Sequence, residues 1–449
     1  MVRLLWVPGA MVTKIFYITI LKMPKLNALI DKSRPWSWVP TLYFAQGLPY
    51  VAVMVISVVM YKRLGISNTE IALYTSWLYL PWVIKPLWSP VVDLFKTKRW
   101  WIVVMEILIG AGLAGIAFAL PAPMFFRATL CIFWFMAFAS ATHDIASDGF
   151  YMLALSERQQ SFFVGIRSTF YRIATVVGQG VLVILAGYIE SRNGVTKAWM
   201  AVMGILSVFF LAVSVYHGFI LPRPASDHPA PGVTLRNVMG EFCATFVSFF
   251  RKPQAFVAIA FMLLYRLPEA QLLKLIYPFL LDSRETGGLG LSTSEVGVVY
   301  GTVGVIGLTI GGIIGGILAS RGGLKRWMWP MAWSLSLTCG TFCYLALVQP
   351  SDLLTVNVCV FVEQFGYGFG FTAYMLYLIY FSEGAFKTAH YAICTGFMAL
   401  GMMLPGMAAG WIQEQLGYVG FFWWVMGCCL VTIAVTACVK VPASFGCRS

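Results

Sequence analysis

Apolar blocks of about twenty residues, parted by short polar turns, recur along the chain. Twenty residues of α-helix rise about 30 Å, the thickness of a hydrocarbon core. The pattern predicts helices at Trp36–Tyr61, Ile71–Pro90, Trp101–Leu120, Phe126–Ser147, Phe162–Tyr188, Ala198–Leu221, Ala255–Leu281, Ser294–Ala319, Trp327–Val348, Leu353–Phe381, Tyr391–Gln413 and Tyr418–Lys440. The expected fold class is therefore an all-α membrane protein with twelve transmembrane helices.

Composition agrees: 59% of the 449 residues are hydrophobic and 11% charged, against about 25% charged in a soluble domain. Length alone would suggest two or three soluble domains, and composition overrides it. The net charge of +13 would suggest nucleic acid in a soluble protein. Here topology accounts for it. With both termini cytoplasmic, 20 of the 31 Lys and Arg fall on the inner side, 6 on the outer side and 5 within helices. That is the positive-inside bias, and the inverted orientation is rejected. The bilayer, not nucleic acid, is the expected partner, and a monomer is expected.

LGISNTEI at 64–71 returns as LGLSTSEV at 289–296. Ser67 and Ser292 are placed to cap the next helix, with Glu70 and Glu295 completing a capping box and Ile66/Ile71 and Leu291/Val296 a hydrophobic staple. Lys98-Arg99-Trp100 is echoed by Lys325-Arg326-Trp327, and Leu48-Pro49 by Leu267-Pro268, with extra residues at Ser283–Gly288 absorbing the offset. Three matches in order predict parallel repeats. They imply the major facilitator fold, two pseudo-symmetric six-helix halves with substrate between them near the midplane. The divisions are an N-terminal extension at 1–35, halves at 36–221 and 254–441, a linker at 222–253 and a tail at 442–449. The extension is read as unprocessed rather than as a signal peptide, because Pro8-Gly9 and Lys14 interrupt its apolar run, with Met1, Met11 and Met23 as candidate starts. In the linker, Leu235, Val238, Met239, Phe242, Phe246, Phe249 and Phe250 predict an amphipathic helix on the inner leaflet. Gly301, Gly304, Gly307, Gly311, Gly312, Gly315 and Gly316 predict close helix packing.

Charge inside a bilayer costs at least about 2.5–3.5 kcal/mol per residue, so intramembrane ionisable residues are candidate site residues. Asp144 and Asp148 share a helix face, and paired carboxylates suit proton uptake and release. The alternative is ion pairing with Lys85, Arg167 or Arg172. Arg172 lies one turn deeper than Arg167 and suits capture of a carboxylate or phosphate. Arg266, Glu269 and Lys274 surround Pro268, which is expected to break its helix; Arg266 and Glu269 are spaced to pair with each other. Glu363 requires a proton, Arg266 or a cationic substrate group. Tyr43, Gln46 and Tyr50 are placed to line a cavity and stack on a sugar, with packing as the alternative. Gln364, a polar neighbour of Glu363, is a candidate for binding the sugars of a substrate. Ten scattered cysteines show no metal spacing, so neither metal nor cofactor is expected. His143 beside Asp144 raises an intramembrane enzyme, but no nucleophile elbow, metal motif or second histidine accompanies it.

AQGLPY (45–50), KPLWSPVVD (85–93), ATHDIASDG (141–149), FYR (170–172), YRLPEA (265–270) and VEQFGYGFG (362–370) resemble the AmpG muropeptide permease and acetyl-CoA transporter family, from about Leu42 to Gly401. The resemblance implies proton-driven import of peptidoglycan turnover fragments, N-acetylglucosamine–anhydromuropeptides, across the bacterial inner membrane. It implies Asp148 as the proton-linked carboxylate, with Lys85, Arg172, Arg266, Glu269 and Glu363 in or near the pathway. Asp93 is expected in gating, although the loop Asp93–Arg99 lacks the glycines of the usual major facilitator signature. His143 stands where the family usually has glutamine, and Arg-Leu-Pro-Glu replaces a Lys-Leu-Gly-Asp-like stretch. These departures keep open another anionic solute, such as acetyl-CoA or a different sugar conjugate. A receptor or sensor would need a soluble sensing domain, which the chain lacks.

Overall fold

The computed structural model describes residues 35–228, 235–384, 386–442 and 445. Residues 1–34 of the expected N-terminal extension and most of the expected tail lie outside them. The first group of helices is α1 (Pro35–Arg63), α2 (68–94), α3 (Lys98–Ala119), α4 (Phe125–Ala154), α5 (157–193) and α6 (Val195–Ile220). The second is α7 (255–281), α8 (293–322), α9 (324–348), α10 (Leu353–Ser382), α11 (387–416) and α12 (418–438). Glycines at positive φ, Gly323 (+74°) and Gly417 (+67°), turn the chain between α8 and α9 and between α11 and α12. Among the described residues, nine stretches are long and apolar enough to cross a membrane, two of them containing these breaks.

Caps and prolines set the boundaries, and they correct several expected ones. Ser292 and Glu295 form the full capping box at the start of α8. At the start of α2, Ser67 accepts from the Glu70 amide, but the Glu70 carboxylate turns to the Ser67 hydroxyl. The expected Ser67 cap thus starts α2 at Asn68, three residues before the apolar block that begins at Ile71. A Ser156–Gln159 box likewise moves the start of α5 to Glu157. Around Leu78–Tyr79 the expected continuous α2 is broken into Asn68–Trp77 and Leu80–Leu94. Pro81 explains this, since it lacks an N–H and crowds the preceding turn. The expected break before Pro268 is present: α7 stops at Leu264 and restarts at Leu267.

In α1, 83% of the most apolar window is buried, against 44% in α3, which identifies α1 as a central helix. It packs on α4 and α5, and α3 packs on α4 and α6. In the second half α8 lies along α10, and α7 along α11 and α12. The glycine stripe permits the α8–α10 contact: a Cβ on Gly307 would stand 2.7 Å from the Phe361 carbonyl oxygen, and one on Gly315 would stand 2.7 Å from Thr372 Oγ1. The halves meet through α5 with α8 and through α2 with α11. Widened, π-type turns occur at Ala52–Ile56, Val177–Val181 and Val299–Gly304, and they gather where α1, α5 and α8 touch. Such turns interrupt the regular hydrogen-bond ladder and often mark functional sites.

The linker contains a helix at Leu235–Phe250. The side chains of Leu235, Val238, Met239 and Phe242 lie outside the described residues. Phe249 is fully buried against Phe381, His390 and Phe397. This corrects the expected leaflet-facing placement for that residue, because packing inside protein removes its ring from lipid altogether.

One end of the molecule is tied shut across the halves. Lys62 ion-pairs with Asp282 at 2.6 Å. Asn68 Nδ2 donates to Gln413 Oε1 at 2.7 Å and to the Tyr418 hydroxyl at 3.0 Å, and that hydroxyl donates to Asp282 at 2.6 Å. Glu190, already holding Arg63, accepts from Thr293 at 2.8 Å. Gly301 sits against the Gln179 carbonyl so closely that a Cβ would overlap its oxygen. Gly301→Ala is therefore expected to destabilise the closed contact by about 1–3 kcal/mol. Gly316→Ala, with nothing within 4 Å of its Cβ position, should be neutral or stabilising by up to about 1 kcal/mol. Unfolding in detergent reads both, and equal midpoints would contradict this contact.

Candidate substrate cavity and its charges

Away from the tied end α5 parts from the α8–α10 pair, while α2 still touches α11 at Val83 and Gly396. A cavity of about 980 Å³ opens between α5 and the α8–α10 pair, lined by Ser168, Arg172, Thr309, Tyr367, Phe371 and Met375 among others. A smaller space of about 370 Å³ adjoins it through Ser168, Arg172, Val305 and Leu308, and reaches Tyr43, Gln46 and Tyr171. Arg172 thus lies at the junction. Its guanidinium is within 3.5 Å of Thr309 Oγ1 across the halves and ion-pairs with no carboxylate among the described residues.

The aspartates of α4 each have a cation. Asp148 Oδ1 accepts from Arg167 Nη2 at 3.0 Å and from the Tyr43 hydroxyl at 3.3 Å. The Arg167 guanidinium also lies 4.5 Å from the Tyr43 ring centre, within cation–π range. Asp144 Oδ2 accepts from Trp82 Nε1 at 3.0 Å and ion-pairs with Lys85 at 3.7 Å. Helix spacing puts both on one side of α4, and the structure gives them different partners. The Asp148 side chain is 41% exposed and that of Asp144 16%, so Asp148 is the more accessible. Gln46 is buried beside Tyr43 with no protein partner for its Oε1. Tyr50 packs edge-on against Trp82 at 5.4 Å and does not line either cavity, the packing outcome weighed for it.

In the second half the expected Arg266–Glu269 pair is not formed. Arg266 Nη2 donates to the Tyr367 hydroxyl at 2.5 Å, and its guanidinium lies 4.8 Å from the Phe371 ring centre. Arg266 is itself the non-helical residue at the break, with φ −101° and ψ 17°, and three-residue spacing brings side chains together only along a continuous helix. Glu269 is fully buried, and neither of its oxygens bonds a protein donor. Glu363 Oε2 accepts from Gln364 Nε2 at 2.8 Å, while Oε1 has no protein donor; Gln364 also donates to the Tyr300 hydroxyl at 2.8 Å. Arg266 does not ion-pair with Glu363. Lys274 reaches across the halves to Thr75 Oγ1 at 3.1 Å and lies over the Tyr79 ring at 5.2 Å, so it joins the interface rather than the open cavity. The side chain of Asp93 lies outside the described residues.

Sequence reasoning missed Tyr367 and Thr309. Tyr367 stood inside the quoted VEQFGYGFG string, where a hydroxyl on a polar, glycine-rich helix facing a lone arginine was the available signal. Thr309 lies on the glycine stripe. The statement that His143 has no second histidine is also corrected: His217, from α6, shares Glu106 with it.

Two helix bundles, tied at one end and parted over a charged cavity at the other, define a multi-pass membrane transporter. The chain belongs to the Major Facilitator Superfamily, whose family model matches residues 41–382, and it is similar in sequence to transporters of the AmpG type. It is 25% identical to the anhydromuropeptide permease of Escherichia coli strain K12 over 416 residues, 90% of this chain and 78% of that one. It is 23% identical to a Rickettsia conorii transporter named AmpG 4, over 85% of this chain and 90% of that one. A bacterial homolog of the human lysosomal transporter Spinster, solved inward-facing and unoccupied, shares the fold with a TM-score of 0.67 at 14% identity, covering 93% of this chain and 96% of that one.

Because Tyr367 is the hydrogen-bond partner of a buried guanidinium, Tyr367→Phe is expected to cost roughly 1.5–3 kcal/mol. Thermal unfolding in detergent reads the loss; an unchanged midpoint would mean that Arg266 is held by other groups.

Proposed function

We propose that the protein is a proton-coupled secondary transporter that imports N-acetylglucosamine–anhydromuropeptides across the bacterial inner membrane. The observation that carries this reading is Arg172, a guanidinium without a carboxylate partner at the junction of two cavities between the halves. Arginine captures carboxylates in a bidentate fork, and muropeptides carry carboxylates. Tyr43 and Gln46 on the adjoining wall suit a sugar ring and its hydroxyls. The similarity to the anhydromuropeptide permease of Escherichia coli supports the substrate class. With both termini cytoplasmic, the parted end faces the cytoplasm and the Lys62–Asp282 end faces outward. The segments 36–221 and 254–441 then rock as two bodies around the cavity, tethered by the linker at 222–253, and one chain forms the whole pathway.

Asp148 is the first candidate for proton coupling, since it is accessible from the cavity side and its charge competes for Arg167. Protonation would release Arg167 and Tyr43 together. Glu269 and Glu363 form the second candidate site, and Asp144, held by Trp82 and Lys85, is more tightly committed. Arg266 fixes Tyr367 at the cavity wall, and Lys274 contributes at the interface that opens in the other state. The apolar wall of the large cavity, including Ile306, Ile310 and Met375, favours as second reading an anionic conjugate with an apolar portion.

Uptake of labelled N-acetylglucosamine–anhydromuropeptide into proteoliposomes, with and without an inward proton gradient, tests the proposal. Gradient-driven accumulation is expected; none, with folded protein, would remove the muropeptide assignment. Asp148→Asn should retain exchange of solute at equal concentrations and lose accumulation, and full accumulation with its normal pH dependence would contradict the role of Asp148. Arg172→Lys should raise KM about tenfold, equivalent to about 1.4 kcal/mol.

A further inference from the structure

A second set of titratable groups lies inside the first half, away from both cavities. Glu106 of α3, His143 of α4 and His217 of α6 are 0%, 1% and 0% exposed. Glu106 Oε1 meets His217 Nδ1 at 2.6 Å and His143 Nε2 at 3.3 Å. Among the described residues it ion-pairs with no lysine or arginine. A carboxylate sealed from water requires a compensating cation or a proton of its own.

The surrounding hydrogen bonds indicate where that proton resides. Ser147 Oγ lies 3.3 Å from His143 Nδ1; the hydroxyl can donate there, which satisfies His143 as a neutral imidazole with its hydrogen on Nε2. His217 differs. Its Nε2 lies 3.0 Å from Thr41 Oγ1, whose hydroxyl donates to the Trp38 carbonyl at 3.1 Å, a common habit of helix threonines. When the Thr41 hydroxyl donates to that carbonyl it accepts from His217, which then donates from Nε2 to Thr41 and from Nδ1 to Glu106. An imidazole that donates from both nitrogens is an imidazolium.

We propose that Glu106, His143 and His217 form a proton-binding site that holds one proton as a His217 imidazolium–Glu106 carboxylate pair, retained through the cycle rather than carried with the solute. Retention follows from placement. Thr41, Glu106, His143 and His217 come from α1, α3, α4 and α6 of one half, so rocking of the halves does not separate them, and none is exposed to the cavity. The other titratable groups on these helices turn elsewhere. Asp144 bonds Trp82 and Lys85, Asp148 bonds Arg167 and Tyr43, and the Tyr216 hydroxyl donates to the Ser37 carbonyl. The site does not depend on the identity of the solute. The proton joins α3, α4 and α6 through one carboxylate oxygen and fixes the register of His143, the neighbour of Asp144.

The chain has four histidines, so His228→Gln and His390→Gln in the full-length protein leave only the two cluster rings. Nitrogen-15 NMR of those rings at about pH 8, where a free histidine is neutral, is expected to show one doubly protonated and one singly protonated imidazole. Two neutral rings would overturn the proposal, and this reading needs no further variant to fold. Glu106→Gln should convert the charged ring to a neutral one while leaving the accumulation ratio in proteoliposomes unchanged. Loss of accumulation with exchange intact would show that the proton is transported, and would overturn its retention.

Discussion

Hydrocarbon offers no solvation to an ion, so each ionised side chain within the bilayer must find a partner inside the protein. The internal architecture follows from how that demand is met. Lys85 answers Asp144, Arg167 answers Asp148, and His217 answers Glu106. Each of these pairs ties helices of the first half together. Among the described residues the ion pair that crosses between the halves, Lys62–Asp282, lies instead at one end, where Glu190 also accepts from Thr293 across the halves. A pair within a half makes that half rigid. A pair between halves is a contact that one conformation has and the other must give up. The distribution of charges therefore separates what holds a half together from what holds a state together.

The glycine-lined seams act in the same sense. Along α8, Gly307 and Gly315 bring the backbone against α10 inside the second half, whereas Gly301 brings it against Gln179 of α5 across the halves. Close backbone approach gains dispersion and loses little side-chain entropy, and no side chain must be extracted when the contact parts. The widened turns of α1, α5 and α8 lie at this crossing, where a change in helix direction is least obstructed by the regular ladder. Arg172 is five residues from the Val177–Val181 turn, so the cation proposed to meet solute is mounted close to the place where the halves touch.

Much of this was legible in the chain. Apolar block length gave the helices, and the LGISNTEI/LGLSTSEV repeat gave the twofold design, because both depend on one helix or one turn at a time. The break before Pro268 was readable for the same reason. Partner choice was not. Arg266 turns to Tyr367, about a hundred residues away, instead of to Glu269 on the next turn, and His217 joins Glu106 and His143 through the packing of three helices. Periodicity states which face a residue occupies but not what stands opposite that face. The boundaries of α2 and α5 moved because Ser67 and Ser156 capped earlier turns than the apolar pattern marked.

In the proposed cycle the Lys62–Asp282 end and the cavity end open in alternation around the solute. Electron–electron distance measurements on spin labels test it directly. Suitable positions in a cysteine-free background are the exposed pairs Ser191→Cys with Glu285→Cys at the tied end and Arg158→Cys with Glu383→Cys at the parted end. With N-acetylglucosamine–anhydromuropeptide and a proton gradient, a population with a longer tied-end distance and a shorter cavity-end distance is expected to grow. Distances that change at neither end, or lengthen at both together, would contradict alternating access.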